Sequence, residues 1–363
     1  MLSFSNVKSK KPHSRKVLIV KLSALGDILH ALPVLTYLRR ITPFLEIHWA
    51  VDASFAELPA RHPGGAKVVP IPFKEWKKRG FSTKTWKEAS DTVRALRRER
   101  YDIAVDIQGN LKSGLVTRLS GAPLRIGFDR DGVREAPNLL FTNRKVRLLP
   151  EDRHISRKYL RVVGCLFDEP FEPSDLSPNL SVSAGDQDAA ALLVKELLGD
   201  AAPRMVVHSG STWPTKRMSK AFWAGVIRSL RERLPTVGVL LSWEGDKEQR
   251  EALEIREMAG GAVELLPRLS LMRLAAVYRE CGFVMAPDTG PLHLAAAVGA
   301  VTVSVFRATD GLRNAPEGAS HQFLQAPMEC TACLLKECDR DHMCRESISS
   351  MEAAELMAEL MGV

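Results

Sequence analysis

Two short polar segments combine a carboxylate with a position that favours anion binding. Segment 23–27 reads Ser-Ala-Leu-Gly-Asp and segment 288–293 reads Asp-Thr-Gly-Pro-Leu-His; each follows an apolar run and leads into residues with helical spacing. Free backbone N–H groups at the start of a helix bind anions, and a carboxylate can act as a base. Asp27 and Asp288 are therefore candidate functional residues, and a purely structural role as helix N-caps is the alternative.

The signatures of two common nucleotide-binding classes do not occur in these segments. Neither segment has the G-x-G-x-x-G spacing of a dinucleotide fold or the G-x-x-x-x-G-K-[ST] pattern of a P-loop. The sequence thus gives little support to a nicotinamide-dependent enzyme or an NTPase.

The elements that must position these segments alternate along the whole chain. Short apolar runs predict strands at 17–20, 47–51, 103–105, 124–128, 205–208, 237–243, 263–265, 283–286 and 301–305. Helical apolar spacing occurs at 28–40, 85–98, 112–119, 219–233, 247–258, 271–279 and 292–298. Near-continuous apolar strands that alternate with helices indicate an α/β fold with parallel sheets covered on both faces.

A stretch without sustained periodicity separates two such series of elements. Residues 168–187 are rich in Pro, Ser and acidic residues, which is typical of an interdomain linker. We therefore expect one doubly wound domain at 15–170, a second at 188–345 and a C-terminal helix within 346–363. In open parallel sheets the ligand lies beyond the carboxyl ends of the strands. Functional residues are accordingly expected in the loops after Val20, Val105, His208, Trp243 and Ala286.

Composition limits the partners and the location. The 363-residue chain has a formal net charge of +8 and a pI of about 9.2, which favours an anionic partner such as nucleic acid, phospholipid or a phosphorylated substrate. We find no nucleic-acid recognition module, so no nucleic-acid partner is expected. No apolar run approaches the length of a transmembrane helix. We therefore expect a cytoplasmic protein without a transmembrane segment, which can still contact the inner-membrane surface.

Several motifs, taken together and in order, resemble the ADP-heptose:lipopolysaccharide heptosyltransferases, glycosyltransferase family 9. The matching segments are 21–33, 106–109, 112–113, 134–135, 154–155, 211–212, 216, 248, 288–290 and 293. The 108–113 stretch and the Arg134-Glu135 pair are most similar to the first heptosyltransferase of the pathway, which acts on Kdo.

This resemblance implies a fold and an activity. The family has the GT-B fold, in which two Rossmann-like domains face a cleft; the N-terminal domain binds the acceptor and the C-terminal domain binds ADP-heptose. The resemblance implies inverting transfer of L-glycero-D-manno-heptose to Kdo2-lipid A of the lipopolysaccharide inner core, with no cofactor required for catalysis. Alternatives are an acceptor heptose later in the core, a protein acceptor, or a nucleotide-sugar-binding protein without catalysis.

The resemblance also implies roles for individual residues. Asp27 occupies the position of the general base, and Lys216 would stabilise the leaving diphosphate. The residues implied in binding ADP-heptose are Ser211, Thr212, Lys216, Glu248, Asp288, Thr289, Gly290 and His293. His293 has the alternative role of a packed core histidine.

Basic residues in the first half are candidates for holding an acceptor that carries carboxylates and phosphates. These candidates are Lys74, Lys77, Lys78, Lys112 and Arg134. The stretch around Lys74 also contains Trp76, Phe81 and Trp86, so it could touch a membrane surface or, alternatively, form a mobile solvated loop.

Four of the six cysteines lie close together near the C-terminus: Cys330, Cys333, Cys338 and Cys344. In a cytoplasmic protein this density favours a tetrathiolate site for structural zinc or iron over disulfides. His342 could replace one thiol as a ligand. We expect the remaining two, Cys165 and Cys281, to be core residues.

Overall fold

The structure is a computed structural model that describes residues 15–167, 169–261 and 263–363. The chain forms two compact units that divide between Leu180 and Ser181, inside the stretch from which a linker is expected. Among the described residues, no helix is long and apolar enough to cross a membrane.

Unit 1 is built on a six-stranded parallel sheet with the strand order β3-β2-β1-β4-β5-β6. Its strands are β1 Lys16–Val20, β2 Glu46–Asp52, β3 Lys67–Ile71, β4 Ile103–Asp106, β5 Leu124–Phe128 and β6 Arg144–Val146. Its α-helices are α1 Leu25–Leu29, α2 Pro33–Ile41, α3 Glu57–Ala60, α4 Phe73–Arg79, α5 Thr83–Arg98, α6 Leu111–Leu119 and α7 Ile155–Gly164. Short 3₁₀ turns span Ala53–Phe55, Ala136–Leu140 and Pro173–Leu176.

Unit 2 repeats this architecture with the strand order β12-β11-β10-β7-β8-β9, again all parallel. Its strands are β7 Arg204–His208, β8 Gly238–Ser242, β9 Val263–Leu265, β10 Gly282–Pro287, β11 Val301–Phe306 and β12 His321–Gln325. Its α-helices are α8 Ala184–Leu198, α9 Lys220–Arg233, α10 Gly245–Ala259, α11 Leu271–Cys281, α12 Gly290–Ala297, α13 Gly311–Asn314, α14 Asp341–Glu346 and α15 Ser350–Met361. A 3₁₀ turn spans Pro214–Lys216.

The strand orders place one ligand-binding edge in each unit. The order reverses between β1 and β4 in unit 1 and between β7 and β10 in unit 2. At such a reversal the loops that follow the two strands diverge to opposite faces and leave a crevice at the carboxyl ends. The central strands are fully buried, as Leu18 and Ile19 of β1 and Val206 of β7 illustrate. The core of each sheet therefore fixes the loops that carry the candidate residues.

The structure differs from the predicted elements in three respects. The single helix at 28–40 is wrong: α1 ends at Leu29 and α2 begins at Pro33, because proline is favoured at the first turn of a helix. The predicted linker is too long at its C-terminal end, since Ser183 caps α8 by accepting from the Asp186 N–H. Asp168, at the other end, lies outside the described residues. The edge strands β3, β6 and β12 were not predicted, because half-exposed edges lack a continuous apolar run.

The C-terminal helix α15 packs on α9 of unit 2. Ala353, Ala354 and Met357 are completely buried in the unit's main hydrophobic cluster. The Oγ of Ser350 lies so near Gly225 that a Cβ on that glycine would come within 2.6 Å of it. The last helix is thus an integral part of the fold of unit 2.

Candidate active site

In unit 1, three side chains from distant parts of the sequence lie around the carboxylate of Asp27. Asp27 is the third residue of α1 and accepts from the Ala24 N–H at 3.4 Å, so it caps the helix from inside rather than as the N-cap residue. Its oxygens also lie 3.9 Å from the Lys21 ammonium, 3.4 Å from the Tyr159 hydroxyl and 3.9 Å from the Arg134 guanidinium. Its side chain remains 33% exposed. The carboxylate is both oriented and accessible to a substrate.

The ammonium of Lys21 is itself buried and held in place. Only 2% of the Lys21 side chain is exposed, and its Nζ donates to the Tyr159 hydroxyl at 2.7 Å. The Nζ also lies 4.5 Å from the centre of the Tyr159 ring. A buried ammonium requires partners because desolvation of a charge is costly. Lys21 and Tyr159 therefore form a rigid, positively charged pair next to Asp27.

Gln108 and Asp106 fix the loop that carries Asp27. The Gln108 Oε1 accepts from the backbone N–H groups of Leu22 and Ser23, at 2.6 and 3.1 Å. Asp106, fully buried at the end of β4, accepts from the N–H groups of Gln108 and Gly109, both at 2.9 Å. The loop after β1 is thus held by a side chain from the loop after β4.

Asp106 also binds two side chains, and its ionisation reflects competing effects. Its other oxygen accepts from the Ser113 hydroxyl at 2.8 Å and the Asn138 amide at 2.7 Å. Burial raises the pKa of Asp106 above its ordinary value, although these hydrogen bonds act in the opposite direction. Asp106 therefore has a structural role: it is buried and orders the groups that donate to it, and it is not an exposed acid or base.

The Gln-Gly loop and the Arg-Glu pair, both singled out in the sequence, are hydrogen-bonded to each other. The Gly109 carbonyl accepts from the N–H groups of Arg134 and Glu135 at 3.1 and 2.9 Å. Gly109 has φ +73°, and a Cβ there would lie 3.2 Å from the Arg134 nitrogen, so the close approach requires glycine. The Glu135 carboxylate in turn accepts from the Leu111 N–H at 2.8 Å. Arg134, with 65% of its side chain exposed, projects from this rigid support.

The other lysines that were predicted to bind the acceptor differ in their contacts and in their exposure. Lys74 donates to the Ser54 hydroxyl at 2.9 Å and lies 4.2 Å from the centre of the Phe55 ring. Lys77 and Lys78 are exposed in the last turn of α4, so this stretch is helical and not a loop. Lys112 is exposed in the first turn of α6. The structure brings Arg134 to Asp27, but it does not join the lysines of α4 to them.

In unit 2, Asp288 is the centre of a buried polar cluster beyond the end of β10. Its Oδ2 accepts from the Lys216 ammonium and from the Thr309 hydroxyl, both at 2.7 Å, and its Oδ1 lies 3.3 Å from the His293 Nε2. Asp288 is not the N-cap of α12, because Thr289 has that position. His293 is 6% exposed and contacts Asp288 directly, so it is both packed and part of the cluster.

The charge state of Asp288 follows from these contacts. Burial by itself would raise its pKa, but the hydrogen bond to His293 and the positive charge of Lys216 hold the pKa of Asp288 below its ordinary range. The cluster therefore contains an ionised carboxylate paired with the ammonium of Lys216, whose side chain is 18% exposed.

The loop after β7 packs directly on the start of α10. Ser211 is buried and its carbonyl accepts from the Arg217 Nε at 2.6 Å, whereas Thr212 is exposed. The Glu248 carboxylate accepts from the Glu244 N–H at 2.9 Å and lies 3.6 Å from the Arg217 guanidinium. This acidic side chain is thereby oriented at the carboxyl edge of the sheet.

Gly210 is required for this position of Glu248. A Cβ on Gly210 would lie only 2.3 Å from the carboxyl carbon of Glu248, well inside van der Waals contact. The absence of a side chain at residue 210 therefore lets the carboxylate contact the backbone of the loop after β7.

His208, the last residue of β7, makes a buried polar contact just before the loop that follows this strand. Its Nδ1 lies 3.1 Å from the Ser242 hydroxyl, which lies 3.1 Å from the Tyr278 hydroxyl. Burial lowers the pKa of His208 to about 4, so the ring is neutral at pH 7. These groups support the loop structurally.

The four clustered cysteines are free thiols, each partly buried. Among the described residues, the group of three or more potential metal ligands with atoms within 4.8 Å of one another consists of Glu46, His48 and Glu99, not of cysteines. Lys16 pairs with both of these glutamates, which explains that group as an ion-pair network. Of the other two cysteines, Cys281 is buried, as expected, and burial raises the pKa of its thiol to about 12. Cys165 is only partly buried.

Sequence reasoning missed several residues that complete the two groups. These residues are Lys21, Tyr159, Asn138, Arg217 and Thr309. Lys21 lies inside a matched segment, so its position next to the first strand loop was a usable signal. The hydroxyl of Tyr159 meets it across 138 residues of sequence, which no local pattern reveals.

Comparisons with known proteins agree with this geometry. Residues 90–344 match the model of glycosyltransferase family 9 (heptosyltransferase). The chain is 34% identical over 328 residues to lipopolysaccharide heptosyltransferase 1 of Pseudomonas aeruginosa, which covers 89% of this chain and 87% of the relative. It superposes on E. coli heptosyltransferase WaaC with ADP at a TM-score of 0.76 and 27% identity, covering 95% and 99% of the two chains.

A second structure of the same E. coli enzyme contains ADP-2-deoxy-2-fluoro heptose. It matches with a TM-score of 0.70 and 29% identity, over 88% of this chain and 98% of the other. The predicted GT-B class, with two Rossmann-like α/β units, is confirmed. The chain is a glycosyltransferase and belongs to glycosyltransferase family 9, the heptosyltransferases.

Proposed function

We propose that this enzyme transfers L-glycero-D-manno-heptose from ADP-heptose to Kdo of the lipopolysaccharide inner core. The observation that supports it most is the buried cluster of Lys216, Asp288, Thr309 and His293, whose single accessible cation suits a diphosphate. The solved complexes with ADP and an ADP-heptose analogue support this donor, and the relatives named lipopolysaccharide heptosyltransferase 1 support a lipopolysaccharide acceptor.

In this proposal Asp27 is the general base. The hydroxyl oxygen of the acceptor attacks the anomeric carbon of heptose while the bond from that carbon to the β-phosphate oxygen breaks. The hydroxyl proton passes to Asp27, and ADP leaves from the face opposite the attack, so the anomeric configuration inverts. Lys21 and Tyr159 keep the carboxylate in place, and Arg134 contributes a positive charge on the exposed side.

Lys216 stabilises the diphosphate as the sugar bond breaks. A fixed ammonium is effective because it requires no reorganisation when charge develops on the leaving group. Asp288 holds that ammonium from behind, and Asp288 also provides a carboxylate for the heptose hydroxyls. The Thr212 hydroxyl and the N–H groups of Thr289 and Gly290 complete the set of donors towards phosphate oxygens.

Glu248 accepts from the ribose hydroxyls of ADP. Its carboxylate lies at the start of α10, next to Gly210 and the buried Ser211. The backbone contact with Gly210 sets the depth at which the ribose can bind.

The acceptor is held by the basic surface of unit 1, and the enzyme works at the membrane surface. Arg134 and Lys112 contact the carboxylates of Kdo, while Lys74, Lys77 and Lys78 face phosphates of lipid A. Near α4, Phe81 and Trp86 are 96% and 65% exposed. Exposed aromatic side chains next to several lysines are typical of proteins that lie on an anionic membrane.

We also propose that the four clustered cysteines bind one structural zinc or iron ion. Four free thiols within fifteen residues are a chemically suitable donor set. No three of their sulfur atoms all lie within 4.8 Å of one another, so the loop must contract to bind the ion. Catalysis as derived above takes place without it.

The test is a transfer assay followed by mass spectrometry. Purified protein and ADP-heptose are incubated with an acceptor in two parallel reactions. The acceptor is Kdo2-lipid A in one and Kdo2-lipid A that already carries one heptose in the other. The proposal expects one added heptose on the first acceptor and release of ADP.

Other outcomes identify the alternatives. Transfer only to the heptosylated acceptor would assign a different member of the family. Tight ADP-heptose binding without transfer to any of these acceptors would make the chain a nucleotide-sugar-binding protein.

A further inference from the structure

The segment that contains most of the clustered cysteines packs directly on the turn that carries Lys216. We define residues 327–340 as the cysteine loop. The buried Thr215 donates its hydroxyl to the Leu335 carbonyl at 2.6 Å. The Leu334 N–H donates to the Ala308 carbonyl at 2.8 Å, just beyond the end of β11. The cysteine loop therefore belongs to the wall of the donor site.

Arg307 ties the same two segments together from inside. Its side chain is 1% exposed, and Nη1 donates to the Arg217 carbonyl at 2.5 Å. Its Nη2 donates to the carbonyl and the carboxylate of Asp341, at 2.7 and 2.6 Å. One buried guanidinium thus fixes both the end of the cysteine loop and the residue after Lys216.

Lys336 is carried by this loop to the same indole ring as Lys216. The Lys336 Nζ lies 5.3 Å from the centre of the Trp213 ring, and the Lys216 Nζ lies 4.9 Å from it. Lys216 has Asp288 as its counter-ion. In the part of the chain that the structure describes, no carboxylate forms an ion pair with Lys336.

This arrangement leaves one positive charge without compensation next to the proposed diphosphate position. Two ammonium groups around one ring repel each other, and an anion between them removes that repulsion. A diphosphate presents oxygen atoms on two phosphorus centres, so it can bind both lysines at once. A lysine on a flexible stem can turn from the ring to a phosphate without a change in the loop.

We propose that Lys336 is a second cation for the diphosphate of the sugar-nucleotide donor. This inference rests on the proposed role of Lys216, and it gives the cysteine loop a part in substrate binding in addition to packing. Lys216 contacts the diphosphate from the Asp288 side, and Lys336 contacts it from the side of the cysteine loop.

Isothermal titration calorimetry with ADP and with adenosine tests the proposal. The variants are Lys336→Ala, Lys336→Arg and, as a control with the same charge change, Lys195→Ala on the exposed face of α8. We expect Lys336→Ala to weaken ADP binding about tenfold, as one charge-assisted contact typically does. Adenosine affinity should stay the same, and Lys336→Arg should recover most of the ADP affinity.

The results separate failure of this inference from failure of the proposed function. If wild-type protein binds ADP and Lys336→Ala binds it as tightly as Lys195→Ala does, Lys336 is not a diphosphate ligand. An equal loss for adenosine and ADP would also overturn the inference, because it would indicate damage to the site. If wild-type protein fails to bind ADP, the proposed donor itself is wrong.

Discussion

The carboxylate of Asp27 lies among three groups that come from separate elements of unit 1. Lys21 follows β1, Tyr159 belongs to α7 and Arg134 follows β5. Because these groups fix the carboxylate without burying it, the carboxylate remains accessible to a substrate hydroxyl. The residue can therefore act as a base without a change in its surroundings.

Replacement of Asp27 by alanine is expected to abolish most of the turnover. We expect kcat to fall by about a hundredfold or more, since general-base catalysis typically contributes 10²–10⁴. Binding of ADP-heptose should stay within about threefold, because no donor-binding residue changes. Steady-state kinetics and calorimetry measure both values, with Asp91→Ala on α5 as a control. Near-normal kcat would remove Asp27 from the mechanism.

The ionised state of Asp288 predicts a pH dependence of stability. Its pKa is lower in the folded protein than in the unfolded chain, so its contribution is present above the unfolded value of about 3.9 and is lost as the pH falls towards the folded value. The difference in free energy of unfolding between wild type and Asp288→Asn should therefore be largest above about pH 5 and shrink towards pH 3.

Urea unfolding at a series of pH values measures this difference, with the exposed Asp200→Asn as a control. A difference that is constant from pH 3 to pH 7 would show that the Asp288 carboxylate is not stabilised by Lys216 and His293.

At the scale of elements, the contact between the loop after β7 and helix α10 depends on Gly210, which has no side chain. We expect Gly210→Ala to displace the Glu248 carboxylate, because the new Cβ would lie 2.3 Å from its carboxyl carbon. Since Glu248 can rotate away, the fold should persist while ADP affinity falls about threefold to tenfold, the size of one lost hydrogen bond.

Gly185→Ala is the matched control, because nothing lies within 4 Å of a Cβ there. Calorimetry and thermal unfolding of both variants provide the measurement. Unchanged ADP binding in Gly210→Ala would mean that the position of Glu248 does not matter for the donor.

The cysteine loop gives a prediction about stability. One metal ion per chain should be found by elemental analysis, and Cys333→Ser combined with Cys338→Ser should lower Tm, because metal–sulfur bonds order a loop that has little apolar surface. The value of kcat at saturating donor should stay within about twofold, since no catalytic group is removed.

Cys165→Ala, outside the loop, is the control for the loss of a thiol. EDTA should leave transfer largely intact during the assay. A metal-free protein with two disulfides, or full stability of the double variant, would contradict the proposal.

The sequence predicted the central strands of each sheet well and most of the edge strands poorly. The buried strands β1, β4, β7 and β8 have continuous apolar residues, so their positions follow from the pattern. The edge strands contain exposed and half-buried residues without a continuous apolar run, as β3 does, and such a short stretch is not distinct from a loop.

The candidate residues followed the same physical rule. Asp27 and Asp288 lie in segments just beyond strands, where a doubly wound fold binds ligands, so the sequence pattern indicated them. Lys216 was implied by the family resemblance. Tyr159, Arg307 and Thr309 reach those loops only through tertiary packing, which local spacing does not encode.

At the scale of the whole molecule, the basic charge and the exposed aromatic residues predict binding to anionic membranes. Phe81→Ser combined with Trp86→Ser should reduce binding to vesicles with anionic headgroups about fivefold or more, because each ring inserts a large apolar area. Vesicle sedimentation at low and high salt measures the effect, which should weaken as ionic strength rises.

Phe44→Ser is the matched control, since Phe44 is 93% exposed but lies just after α2, outside the stretch 74–87. Equal binding of the double variant and the control would leave the aromatic pair without a role at the membrane. Strong binding to uncharged vesicles would argue against an electrostatic attraction.

The position of Trp213 next to two ammonium groups has a practical consequence. Indole emission responds to nearby charge, and a diphosphate that draws Lys216 and Lys336 off the ring would change the field at this half-buried tryptophan. Two of the other five tryptophans, Trp49 and Trp223, are fully buried. The protein thus carries its own optical reporter, and titration with ADP should change its intrinsic fluorescence, with Trp213→Phe removing that signal.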